Sequence, residues 1–424
     1  MATAARAIDG CETGPLRNNE MARFVVRQPI LDLRGRVHAF KLRFRAGSID
    51  NDKGANGHNL LESVTHFGLG RPSGLKRLTG ALPAFVECSE EVLSPRLAQS
   101  LPPNLTILEL PVIAEPVAES IAICQDLKTL GFRFALSASE WEPLHEHWVE
   151  VANYIKVDFG RTHPAVPRDL CARMQSKNIA MLADKVDTQE EYSRARDEGF
   201  SLFAGSYYQQ PVAVKNRRPP ANQLLRIDIL KALQQRPMDL RKMSQLVMRD
   251  GPLAFQLLRF INSPICALRQ EVHSIETALL ALGDDAFRRI ATLAIASRFN
   301  GDQPAEILCT GLIRARFCET AAPARGLEPF SQYMLGLLSL LPAMQGLPMC
   351  DLVPALPLRV EIREALMGTR NSERAALGWL ESYERGDWAA CDQAATSDQL
   401  NQQELASLYL EAVEWAESAL HSTT

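Results

Sequence analysis

The first residue able to do chemistry is Lys41, at the centre of Val37 to Arg45, which reads Val-His-Ala-Phe-Lys-Leu-Arg-Phe-Arg. Apolar and charged residues alternate there, as in a strand with two unlike faces. An ammonium at that place is a compact point charge on a flexible stem, able to donate three hydrogen bonds. Other candidates carry less. His145-Glu-His147 sets two imidazoles two residues apart, a spacing that does not share a helical face, and no third ligand accompanies them, so they read as surface histidines. Gly68-Leu-Gly70 opens no phosphate loop and reads as a turn. The nine cysteines are scattered with no Cys-x-x-Cys pair. Cys88, Cys124, Cys266 and Cys309 sit in apolar runs, the pattern of buried reduced thiols rather than of disulfides or zinc ligands.

The elements that must position Lys41 begin just before it. Phe24 to Leu31 reads as a second strand, and Asp32-Leu-Arg-Gly35 supplies the turn that folds the two into a hairpin. Further strands are expected at Phe85 to Cys88, Thr106 to Leu110, Arg133 to Leu136, Tyr154 to Val157, Ala180 to Leu182 and Ser201 to Phe203. Between them, Val117 to Leu130, Val166 to Lys177 and Gln189 to Glu198 place apolar residues at helical spacing, with Gly131 and Gly199 where helix C-caps belong. Such alternation predicts a parallel sheet closed into a barrel, with short connections. The pattern changes at Pro211 to Pro220, a polar, proline-bearing stretch that predicts a domain boundary. From Asn222 onward the pattern is helical: Leu224 to Gln234, Leu240 to Met248, Pro252 to Asn262, Ile275 to Leu282, Asp285 to Arg298, and more to the C-terminus. Pro252 suits a first helical turn, and Ser274 can cap the helix that Gly283 ends. Phe255, Leu257, Leu258 and Ile261 form an apolar stripe expected in the core.

At 424 residues the chain has room for two domains. A formal net charge of −4 gives no electrostatic pull toward nucleic acid or an anionic membrane. Residues 1–22 contain Arg6, Asp9, Glu12 and Arg17 and no apolar core segment, which reads as a loose tail rather than a signal peptide. The apolar run Met334 to Leu341 is shorter than the roughly 20 residues needed to span a bilayer, so a cytoplasmic location without membrane insertion is expected.

Two resemblances organise these observations. The opening hairpin, with the strand motifs that follow it, resembles an EAL domain, the barrel that hydrolyses cyclic di-GMP. The second half resembles an HDOD domain, an all-helical signalling module related in fold to the HD phosphohydrolases, through Met248-Arg-Asp-Gly-Pro-Leu-Ala-Phe-Gln-Leu-Leu-Arg-Phe-Ile-Asn-Ser263 followed by Ile275 to Gly283. Leu356-Pro-Leu358 and Tyr383-Glu-Arg-Gly-Asp-Trp388 look like the tail of proteins that fuse a degenerate EAL domain to HDOD. The implied organisation is α/β plus all-α: a tail (1–22), a degenerate TIM-like EAL barrel (23–212), a linker (213–221), and a helical HDOD domain with a C-terminal extension (222–424).

The EAL resemblance implies a site where carboxylates at the strand ends hold two divalent cations that activate a water. Residue by residue that set is altered. Lys41 stands at the position of the glutamate that names the family, and Glu87 at that of an asparagine. Glu109 matches a metal ligand, Ser137 and Ala138 replace paired aspartates, Lys156 and Asp158 match, and Asp184 is one methylene shorter than the family's glutamate. Gln28 and Arg45 match residues near the nucleotide, with a strand-end hydrogen bond and an ion pair as their bland alternatives. The HDOD half lacks the His-Asp doublet of true HD enzymes, since no such pair occurs in the sequence. The implied protein is therefore no enzyme and has no metal or cofactor. It is a cyclic di-GMP-related signalling adaptor whose partners are other signalling proteins. A cyclic di-GMP receptor without hydrolysis and a metal-dependent phosphodiesterase with atypical ligands stay open as alternatives. Two further expectations concern structure. The two halves should pack together, because the barrel is short of covering helices, and the Lys41 ammonium should lie within about 4 Å of Glu87 or Glu109, the distance that defines an ion pair.

Overall fold

The computed structural model describes residues 24–45, 64, 67–88, 101–111, 118–138, 148–159, 169–211, 223–263, 266, 268, 270–300, 303–356 and 358–421. The expected tail, the linker at 213–221 and the His145/His147 pair lie outside them.

Eight strands close into a barrel in chain order: β1 (Phe24–Asp32), β2 (Val37–Arg45), β3 (Ala84–Glu87), β4 (Thr106–Pro111), β5 (Arg133–Ala138), β6 (Tyr154–Asp158), β7 (Ala180–Asp184) and β8 (Leu202–Ala204). Strands β2 to β8 run parallel, whereas β1 is antiparallel to both its neighbours, β2 and β8. The hairpin turn explains that reversal. Asp32 accepts hydrogen bonds from the backbone N–H groups of Arg34 and Arg36 at 2.8 and 2.9 Å, and Gly35 takes φ +71°, which reverses the chain within four residues. The helices of the barrel half are α1 (Pro72–Thr79), α2 (Ala118–Thr129), α3 (Leu170–Ser176) and α4 (Gln189–Asp197), the last opened by a capping box between Thr188 and Glu191.

The helical half comprises α5 (Gln223–Gln234), α6 (Leu240–Met248), α7 (Gly251–Ile261), α8 (Ile275–Leu282), α9 (Asp284–Asn300), α10 (Ala305–Ala321), α11 (Pro329–Leu338), α12 (Leu341–Gln345), α13 (Met349–Leu352), α14 (Val360–Leu366), α15 (Ala375–Arg385), α16 (Trp388–Asp398) and α17 (Gln402–His421). The capping signals act as read. Pro252 lies in the first turn of α7, the Ser274 hydroxyl accepts from Thr277 N–H at 3.1 Å, and Gly283 ends α8 with φ +75°. One part of the core expectation fails. Leu257 and Ile261 are buried and Leu258 is half-buried, but Phe255 is 70% exposed because α7 carries apolar residues on more than the face it packs.

Alternation sorts the strand side chains into two environments. Ile30, Phe85, Ile107, Ala135, Tyr154, Leu182 and Leu202 point inward and plug the barrel, while Leu42, Val86, Leu108, Leu136 and Val157 point outward into a second core. That outer core is continuous with the helical half, so the halves pack as expected. The Tyr383 hydroxyl donates to the Val25 carbonyl at 2.9 Å, and Phe24 lies against the rings of Tyr383 and Trp388. Beside them, the buried Arg27 guanidinium donates to the Leu78 carbonyl at 2.7 Å and to Glu417 of α17 at 2.5 Å.

Candidate functional site

One interior step above the apolar plug, the barrel carries a charged layer. Lys41 is two residues beyond Ala39 on β2, Glu109 two beyond Ile107, Lys156 two beyond Tyr154 and Asp184 two beyond Leu182, so each continues its strand's inward-facing row toward the mouth. All four are buried. Lys41 Nζ donates to Asp184 Oδ2 at 2.6 Å; Lys156 Nζ lies 3.2 Å from the same oxygen and donates to Glu109 Oε1. Two ammonium groups thus face two carboxylates in a neutral cluster. Burial alone would raise the Asp184 pKa, but Lys41 and Lys156 overcome it and hold the carboxyl well below the usual range. Burial alone would likewise lower Lys156, yet Glu109 and Asp184 raise it above its ordinary value.

The pairing of Lys41 departs from the expectation. Its acid is Asp184 on β7, not Glu87 or Glu109 on the nearer strands. Register supplies the reason: Lys41 stands opposite Phe85, which leaves Glu87 one interior step closer to solvent, where its carboxylate is exposed. The interior of an eight-stranded barrel is about as wide as the side chains that fill it, so the long lysine stem crosses to the buried carboxylate instead. Glu87 and Glu109 do stand side by side in register on β3 and β4, and Ser137 stands beside Lys156. Asp158, opposite Asp184, receives the Lys185 ammonium at 2.7 Å, while Lys185 itself bends the chain away from the mouth at φ +58°. Ala138 ends β5.

The two nucleotide-side residues are used inside the protein. Gln28 Nε2 donates to the Glu384 carbonyl at 2.8 Å, and Arg45 grips both carboxylate oxygens of Asp392 at 2.9 and 2.6 Å. Between them Arg43 Nη1 donates to the Arg385 carbonyl at 2.8 Å. Above the mouth, Arg314 of α10 binds Glu384 at 2.6 Å and Gln209 at 2.9 Å. Together the mouth and the helices enclose a cavity of about 690 Å³ whose walls come from both halves, Glu109 and Asp184 below, Arg314 and Glu384 above. Sequence reading missed Arg27, Glu306, Arg314 and Glu384, although polar residues inside apolar helical runs, as in Ala305-Glu-Ile-Leu and Leu312-Ile-Arg-Ala, are the signal that marks them.

The donor set does not fit a pair of divalent cations. Two of the carboxylates a metal would need are already in contact with ammonium groups, and among the described residues no three His, Cys, Asp or Glu side chains converge as a ligand group. No helix of the described residues is long and apolar enough to cross a membrane.

Comparison with known proteins gives the following. Residues 220–338 match the family model of the HDOD domain. Over nearly its whole length the chain is similar to the cyclic di-GMP phosphodiesterase CdgJ of Vibrio cholerae, 24% identical over 418 residues that cover 95% of this chain and 94% of that protein. It is 27% identical to the uncharacterized protein YuxH of Bacillus subtilis over 406 residues, 94% of this chain and 98% of that one. Among solved structures, the EAL domain of Mycobacterium smegmatis DcpA is 19% identical with a TM-score of 0.35, over 43% of this chain and 90% of that domain.

Proposed function

We propose that this chain, an EAL-type barrel joined to an HDOD domain, serves cyclic di-GMP-related signalling without cleaving the nucleotide and acts by binding other proteins. The observation that carries this reading is the Lys41 ammonium 2.6 Å from Asp184. Phosphodiester hydrolysis of the two-metal kind needs carboxylates free to hold cations that activate water. A positive charge about 4 Å from another costs about 4 kcal/mol at an effective dielectric near 20, and Lys41 and Lys156 both stand where they would oppose such a cation. Lengthwise similarity to a protein named as a cyclic di-GMP phosphodiesterase supports the signalling context. Engagement of Gln28 and Arg45 by the helical half counts against open nucleotide binding. Large apolar side chains left in solvent on the HDOD helices, Met248 at 67%, Phe255 at 70% and Leu280 at 76% exposure, suit contacts with protein. The test is incubation of the full chain with cyclic di-GMP and manganese or magnesium. No turnover above background is expected; metal-dependent turnover abolished by Glu109→Ala would overturn the reading.

A further inference from the structure

The rim of the barrel mouth on the β1–β2 side is taken by the chain's own C-terminal part. Three polar side chains of that hairpin reach it, and all three end on one stretch, residues 384–392. Gln28 and Arg43 donate to the carbonyls of Glu384 and Arg385, which end α15 and are among the carbonyls a helix leaves without internal partners. Arg45 then holds Asp392, one turn into α16, through both carboxylate oxygens. Between the two anchors Gly386 takes φ +66°, and a Cβ on it would meet Arg43 Nη1 at 2.7 Å, so the backbone lies directly against the guanidinium. The stretch spans much of the Tyr383-Glu-Arg-Gly-Asp-Trp388 motif, and the rings of Tyr383 and Trp388 pin it to Phe24 at the base of β1.

We propose that residues 384–392 are a plug that occupies the mouth in the manner of a ligand, presenting two carbonyl oxygens and a carboxylate to the amide and guanidinium donors of the first hairpin. Access to the cavity beneath is then set by whether the plug is seated, and the helical domain controls it through α15 and α16. A partner able to unseat the plug carries the same chemistry, an acidic polypeptide segment with exposed carbonyls at a helix end. The proposal rests on the reading of the mouth as a binding surface rather than a hydrolytic one.

Hydrogen–deuterium exchange on the full chain tests it, with Arg45→Ala, Asp392→Ala and the exchanged pair Arg45→Asp/Asp392→Arg. Amides of residues 386–398 are expected to be protected in the native chain. They should exchange about tenfold faster in each single variant, the size expected for losing a charge-assisted hydrogen bond, and return toward the native rate in the exchanged pair. Protection of β7 amides serves as the control for folding. A second readout is thiol labelling of Ser137→Cys, which lines the cavity, in a Cys350→Ser background that removes the exposed native thiol. Labelling should quicken about tenfold when Arg45→Ala is added, by the same loss. Unprotected 386–398 amides in the native chain, single variants that exchange like it, or labelling indifferent to Arg45→Ala would each overturn the plug. None of these readouts uses nucleotide, so hydrolysis by the native chain would sink the functional reading while the exchange pattern still decides the plug.

Discussion

Replacing Glu306 by glutamine removes a titrating group from the contact between the halves while keeping its shape. Glu306 opens α10 and is buried there, facing Arg27 of β1, Glu417 and Tyr409 of α17, Glu384 of α15 and Tyr208 of the barrel half, with Cys309 on its own helix. Burial raises its pKa from 4.5 to about 7. The Arg27 charge works against that rise, and Glu417 and Glu384 add to it. A folded-state pKa above the unfolded one means that the native protein binds the proton more tightly. Stability from this group is therefore fully present below about pH 4.5 and is lost as the pH rises through 7. At about 1.4 kcal/mol per pH unit the total is about 3 kcal/mol. Urea denaturation of the native chain and of Glu306→Gln between pH 4.5 and 8 isolates it, because distant groups common to both cancel in the difference. The stability of Glu306→Gln minus that of the native chain should grow by about 3 kcal/mol across that window and level off above pH 7.5. A difference that stays flat, or one that favours the native chain at pH 8, would refute the reasoning.

Other outcomes follow from the same geometry. Lys41→Met should cost about 3 kcal/mol in chemical denaturation, the low end for cutting a buried pair, because Lys156 still stands 3.2 Å from Asp184; a variant as stable as the parent would contradict the cluster. Lys41→Glu should cost more, since three carboxylates would then share one ammonium. Gly386→Ala should lower stability by about 1–2 kcal/mol from its left-handed φ, together with the contact on Arg43, and calorimetric melting would show it as a lower Tm.

Much of the barrel was legible because its signals are local. Alternation at 24–31 and 37–45 fixes two strands and the faces they present, and Asp32 to Gly35 fixes the turn between them. In the helical half, α6 and α8 begin and end at the residues expected from spacing and caps. The partners in space were not legible. Lys41 meets Asp184 across 143 residues of sequence and two intervening strands, β1 and β8, and no local pattern encodes which carboxylate an inward lysine will reach. Arg45 and Asp392, 347 residues apart, meet only because two domains close on each other. Phe255 misled for a different reason: an apolar residue at helical spacing reads as core whether or not a neighbour covers it.

The central claim is that lysines, not metal ions, neutralise the carboxylates of the barrel mouth. Calorimetric titration of the full chain with manganese measures it directly, with Asp184→Asn and Glu109→Ala as controls. The account predicts no saturable binding tighter than about 1 mM, a free energy of about −4 kcal/mol, and no difference between the native chain and the two variants. One or two stoichiometric sites in the native chain, lost in Asp184→Asn or Glu109→Ala, would contradict it.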